Sequence, residues 1–219
     1  MRAIPLRFDR APRYILLLVA MLGEIVVAPM VISSWEGVVV ARLFTGAVLA
    51  AALWAVGATR TNLMCFAFAA AALICAALSR DPTFRFIELA LRSMFVAYVA
   101  ATILWSVLQR EQVTLDTLAG ATCAYMLLGL VWAPIYLLVE HTHPGSFDIP
   151  PGWRIGPTGD IGPAMAYFSY VTLTTVGFGD IAPTGPIAGG LVVVEAIIGP
   201  LYLAITVARL VGLHVARRE

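Results

Sequence analysis

The sequence predicts an all-α membrane protein of six transmembrane helices, with a short re-entrant helix between the fifth and the sixth. Three observations carry this. Of the 219 residues, 61% are hydrophobic and 12% charged, too apolar for a chain that must cover itself with water-facing surface. Six runs are long enough to cross a hydrocarbon core about 30 Å thick as helices, and none alternates in the way of a lipid-facing β-strand. A further segment, residues 141–185, is rich in Gly and Pro and interrupts the pattern between the last two runs.

Taken in order, the runs are residues 14–32, 38–56, 63–78, 86–108, 118–139 and 186–213. The first comes after Arg2, Arg7, Arg10 and Arg13, as a signal peptide would, but it is long and no small-residue cleavage site succeeds it, so it is expected to stay as helix one. It carries Glu24, for which a pairing with an arginine of another span is expected. The second and third contain alanine clusters at 50–52 and 69–72, which suit close packing against lipid or helix. Polar breaks at 33–36, 59–62, 79–82 and 109–112 are short enough to make neighbouring helices antiparallel. Two units are expected: a four-helix transmembrane domain, 1–112, and a second domain, 113–219.

Orientation rests on arginine, because the chain has no lysine. The four N-terminal arginines and Arg209, Arg217 and Arg218 place both termini in the cytoplasm of a multi-pass cell-membrane protein. A net charge of +1 gives no reason to expect nucleic acid as a partner. Cys65, Cys75 and Cys123 lie inside apolar runs and read as small buried residues without a disulfide framework. No catalytic triad, phosphate-binding loop or metal-ligand cluster is present, so neither enzymatic activity nor a cofactor is expected.

Residues 164–173 have the length of a short helix, with Pro163 in its first turn and Gly162 or Asp160 near its cap. Irregular backbone at membrane depth survives only where protein buries it or where it lines a water-filled path. This helix leads directly into Thr174-Thr175-Val176-Gly177-Phe178-Gly179-Asp180. A dehydrated cation needs a substitute for its water shell, and closely spaced backbone carbonyls supply one if they face a common axis. In an ordinary strand successive carbonyls alternate. Gly177 and Gly179 can take backbone angles that other residues avoid and so turn adjacent carbonyls to the same side. One chain provides a quarter of such a cage, so four must surround an axis.

This run resembles the signature selectivity filter of bacterial potassium channels in its Gly-Phe-Gly form. Residues 167–180, 195–199 and 201–204 are also similar to the pore domain of that family, and the likeness extends over roughly 118–218. The resemblance implies a pore domain in 113–219, made of an outer helix, a re-entrant pore helix, the filter and an inner helix. It also implies a homotetramer that conducts potassium passively, with three identical subunits, membrane lipids and the permeant K+ as partners, in a bacterial inner membrane. Within the filter, Thr174 to Asp180, the carbonyls of Thr175, Val176, Gly177 and Phe178 and the Thr175 hydroxyl would form the K+ sites. The pore helix would aim free carbonyls and its negative dipole end, near Thr172 to Thr174, at a central cavity. Gly199, with Pro200 next to it, matches the inner-helix glycine at which such pores bend.

Other positions depart from the commoner pattern. Family filters often carry Tyr where Phe178 stands, bonded to a pore-helix Trp that is absent here, and Tyr167 is expected to take over as the hydrogen-bond partner of Asp180. Glu195 lies four residues before Gly199 on the same helix face. A carboxylate at that depth is costly and usually functional, and it is expected to accept a hydrogen bond from Thr172 or Thr174 and brace the filter. The fourth run lacks the arginine ladder of a voltage sensor. Arg85 and Arg92 flank Glu88 at helical spacing and partly neutralise it. One charge crossing the field yields only about 2.3 kcal/mol per 100 mV, so weak voltage dependence is expected.

His141 and His143, beside Glu140 and Asp148, could form a proton or metal sensor or simply a solvated loop. The sequence ends soon after the last run, so no cytoplasmic ligand-binding domain is expected. The alternatives to selective potassium conduction are a less selective monovalent cation channel, a potassium uptake transporter, and a non-conducting membrane sensor built on the first four runs. Uptake transporters usually resemble four filter repeats in one chain, whereas this sequence has one.

Overall fold

The computed structural model describes residues 13–31, 47–48, 50–57, 66–67, 82–110, 112–153 and 160–215. They form α1 (Arg13–Val31), α2 (Pro82–Leu108), α3 (Leu115–Thr142), α4 (Gly162–Leu173) and α5 (Pro186–Val215). Two short strands, β1 (Phe147–Asp148) and β2 (Ala182–Pro183), and a 3-10 turn, Pro151–Trp153, complete them. Residues 50–56, within the second expected span, are helical. The third span lies outside the described residues except for 66–67, and the terminal arginines do so except for Arg13 and Arg209. Among the described residues three helices are long and apolar enough to cross a membrane: Leu89–Leu108, Leu115–Thr142 and Pro186–Leu213. The protein is thus mostly helical, as an all-α membrane protein should be.

α3 is the central post. Thr114 starts it by accepting the Thr117 amide at 3.1 Å, supplying one of the bonds that the first turn of a helix lacks. Asp116, in that same turn, accepts the amide of Tyr14 at 2.9 Å and so also satisfies an orphan donor at the start of α1. The Tyr14 hydroxyl reaches Ser106 Oγ of α2 at 2.8 Å, so one buried tyrosine joins three helices. Gly120 permits this closeness: a Cβ there would stand 2.8 Å from Val107 Cγ2 and 2.9 Å from the Tyr14 ring.

The first core cluster gathers Leu17, Met21, Ile103, Val107, Cys123 and Ala124, and it draws side chains from both sides of residue 112. The second lies near the other end of α3 and packs α4 and the connection between α3 and α4 against it. Its centre is a triangle of rings, Tyr136, Phe147 and Phe168, with centroids 5.3 to 5.5 Å apart. Each such pair adds about 0.5–1.5 kcal/mol beyond the apolar area it buries.

At the opposite end, Arg209 of α5 donates to the Leu108 carbonyl and so serves one of the last carbonyls of α2. The backbone of α2 passes through Arg85, Glu88 and Arg92, whose side chains lie outside the described residues. α5 turns Val193, Val194, Ile197, Leu201 and Ile205 outward, an apolar face suited to lipid or to another copy.

Candidate functional site

α4 begins where Asp160 Oδ1 accepts the Gly162 amide at 3.0 Å, with Pro163 in the first turn, where its missing N–H removes no bond. Twelve residues make a helix about 18 Å long, too short to span a bilayer. It seats closely on α3. Gly129 leaves the space that the Tyr170 ring occupies, since a Cβ there would lie 2.6 Å from Tyr170 Cε1. The Tyr170 hydroxyl donates to Met126 O at 3.0 Å and the Ser169 hydroxyl reaches Gly129 O at 2.8 Å.

The last four carbonyls of α4 are engaged. Tyr170 O accepts the Thr174 amide at 3.0 Å and its hydroxyl at 2.6 Å. Val171 O accepts the amides of Val176 and Gly177 at 3.0 and 3.3 Å, and Thr172 O accepts that of Thr175 at 2.9 Å. Leu173 O takes the Tyr125 hydroxyl at 3.0 Å. Of the carbonyls near Thr172 to Thr174 that were expected to be free, that of Thr172 is bonded by the departing chain and that of Leu173 by Tyr125 of α3. The dipole end remains, and the same bonds fix the direction in which residues 174–180 depart.

Along that departing chain the backbone alternates in hand. φ is +60° at Thr175, +57° at Gly177 and +75° at Gly179, while Val176 and Phe178 have negative φ. A strand whose φ changes sign at each step turns consecutive carbonyls to one side, the arrangement a cation cage needs. The glycines accept this conformation freely, whereas the β-branched Thr175 is a genuine outlier there. Strain of this kind, of order 1–3 kcal/mol, collects at functional sites. Residues 174–180 are all exposed in the single chain, Val176 at 52% and Phe178 at 69%.

Asp180 Oδ1 accepts the Ile181 amide at 3.1 Å. Partial burial, then its interaction with the nearby Asp180 carboxylate, hold the Tyr167 phenol above its ordinary value. Trp153, which sequence reasoning did not single out, stacks on Tyr167 with ring centroids 4.3 Å apart. The indole missing from α4 thus arrives from the 3-10 turn between α3 and α4.

The connection from α3 to α4 is tied to the chain beyond residues 174–180. β1 and β2 pair antiparallel, Phe147 with Pro183 and Asp148 with Ala182, and Thr184 bonds the carbonyls of Ser146 and Gly145 at 2.9 and 2.5 Å. Glu140 is committed to this loop, accepting the amides of Gly145 and Phe147 at 2.9 and 3.1 Å. His141 and His143 are exposed, with His143 Nδ1 3.0 Å from the Thr142 hydroxyl.

Glu195 is fully buried. It meets α4 one turn earlier than expected: Oε1 lies 2.5 Å from the Ser169 hydroxyl, and Oε2 accepts the Tyr136 hydroxyl of α3. Thr172, also buried, is not among its partners. Gly199, four residues on, packs directly on α4, where a Cβ would stand 2.0 Å from Leu173 O. α5 continues as helix through Gly199 and Pro200. Glu24, half-buried in α1, is near enough for its charge to reach Tyr170.

α4 thus delivers a hand-alternating segment beside a long apolar helix. The ion channel family model matches residues 162–214, which begin with α4 and run nearly to the end of α5. The chain is also 32% identical over 88 residues to the inward rectifier potassium channel Kirbac3.1 of Paramagnetospirillum magnetotacticum. That match covers 38% of this chain and 25% of the relative, so the chain spans about a quarter of the relative's length. Both matches point to a pore-loop ion channel family, and the apolar helices fit a multi-pass membrane protein. No solved structure matches the chain.

Proposed function

We propose that the chain is one subunit of a homotetrameric potassium-selective channel, with K+ held by the carbonyls of Thr175, Val176, Gly177 and Phe178 and by the Thr175 hydroxyl. The alternating φ along Thr175 to Gly179 carries this reading, because it turns consecutive carbonyls to one side. A single chain leaves Val176 and Phe178 uncovered, and three further copies around an axis would bury them. The potassium channel relative, whose match is to part of this chain, adds weight to K+ as the ion. In this reading α3 is the outer helix, α4 the re-entrant pore helix and α5 the inner helix, and both termini face the cytoplasm of a bacterial inner membrane.

The test is flux and current from purified protein in liposomes, with the reversal potential measured in potassium and sodium mixtures and the oligomer sized by crosslinking. A reversal potential that tracks the potassium gradient and a crosslinked ladder ending at four copies are the expected results. A reversal potential indifferent to the cation replaces this reading with a less selective monovalent channel. Absence of flux replaces it with a membrane sensor.

A further inference from the structure

Ser169 Oγ lies between two oxygens, Gly129 O at 2.8 Å and Glu195 Oε1 at 2.5 Å. A serine hydroxyl has one hydrogen. If Glu195 were a carboxylate, that hydrogen would serve one oxygen and leave the other facing Oγ lone pair to lone pair. A proton on Oε1 resolves the arrangement. Glu195 then donates to Ser169 Oγ, Ser169 donates to Gly129 O, and Tyr136 donates to Glu195 Oε2, so that three hydrogens fill three contacts.

Burial points the same way. Glu195 is 0% exposed, and no arginine or histidine among the described residues is bonded to it. A buried unpaired charge is costly, and the neutral acid avoids that cost. The groups that face it are Tyr136 and, farther off, Tyr125 on α3, and the uncharged Ser169 on α4.

We propose that Glu195 is a neutral, proton-donating acid that locks α4 between α3 and α5 and thereby acts as a positioning residue for residues 174–180. Its effect on the filter rests on the channel reading, while its protonation does not. The lock is a relay of three oriented hydrogen bonds joining three helices. Loss of the Oε1 proton reverses the first of them and sets the Ser169 oxygen against the Gly129 carbonyl, loosening the seat from which the filter segment departs.

Infrared difference spectra of the full chain in lipid membranes, wild type minus Glu195→Gln at neutral pH, test the proton without requiring conduction. A protonated-carboxyl stretch that is absent from the variant and shifts in heavy water is the expected result, and carboxylate bands alone would overturn the proposal. In mixed-cation liposomes Glu195→Gln keeps potassium selectivity, because an amide donates from its nitrogen and accepts at its oxygen, whereas Glu195→Ala and Ser169→Ala lower it several-fold. Selectivity lost in the Gln variant and retained in both Ala variants would overturn the positioning role. A wild type that does not conduct overturns the channel reading, and the infrared result then decides the protonation by itself.

Discussion

Replacing Gly199 by alanine separates two roles that one glycine could play. The new Cβ would lie 2.0 Å from Leu173 O and 3.0 Å from Leu173 C, whereas ordinary contact begins at 3.4 Å. Both obstacles are backbone, so α5 and the end of α4 must part by more than an ångström. Overpacking of this kind costs about 1–3 kcal/mol. Thr174 is bonded directly to Leu173, and the displacement passes to the carbonyls beyond it. We therefore expect a lower melting temperature together with a reversal potential shifted toward sodium in mixed-cation liposomes. A glycine that served only as a bend would behave otherwise, since alanine is the best helix former and would stiffen the bend, lowering open probability while the reversal potential held. An unchanged melting temperature with an unchanged reversal potential would refute the close-packing argument.

Tyr125→Phe removes the donor to Leu173 O and leaves that carbonyl without it; the expected loss is about 1–3 kcal/mol, read from thermal unfolding, and an unaltered melting curve would count against it. Tyr167→Phe removes the hydroxyl that interacts with Asp180 while keeping the stack on Trp153. Faster decay of current during sustained opening is expected, and unchanged decay would mean that this hydroxyl does not stiffen the filter. Neutralising Arg85 or Arg92 should leave a shallow conductance–voltage relation shallow, whereas steep activation of the wild type in bilayer recordings would contradict the expected cancellation by Glu88.

The features legible in the sequence were those whose chemistry is carried by the backbone or by local order. Gly177 and Gly179 announce positive φ because no other residue adopts it so freely, and Pro163 announces the start of α4 because its ring suits a first turn. Thr175 escaped, since a β-branched residue gives no hint that its neighbours will hold it at positive φ. The partners of Glu195 were misplaced for a different reason. The choice between Ser169 and Thr172 depends on how far α5 slides along α4, a quantity set by the contact of Gly199 with Leu173 and by no local pattern. Tyr125, Tyr136 and Trp153 were invisible for the same reason, being ordinary aromatics until α3 and the 3-10 turn bring them to α4 and α5.

The pairing of β1 with β2 joins the chain to itself on either side of α4 and the filter segment. Closing a loop has an entropy cost that grows only slowly with its length, and here a single subunit bears it with its own main-chain bonds. In the tetramer proposed above, neighbouring copies then need not impose the shape of the ion path. They meet a segment whose course is already drawn, and assembly is left to cover the exposed side chains of Val176 and Phe178.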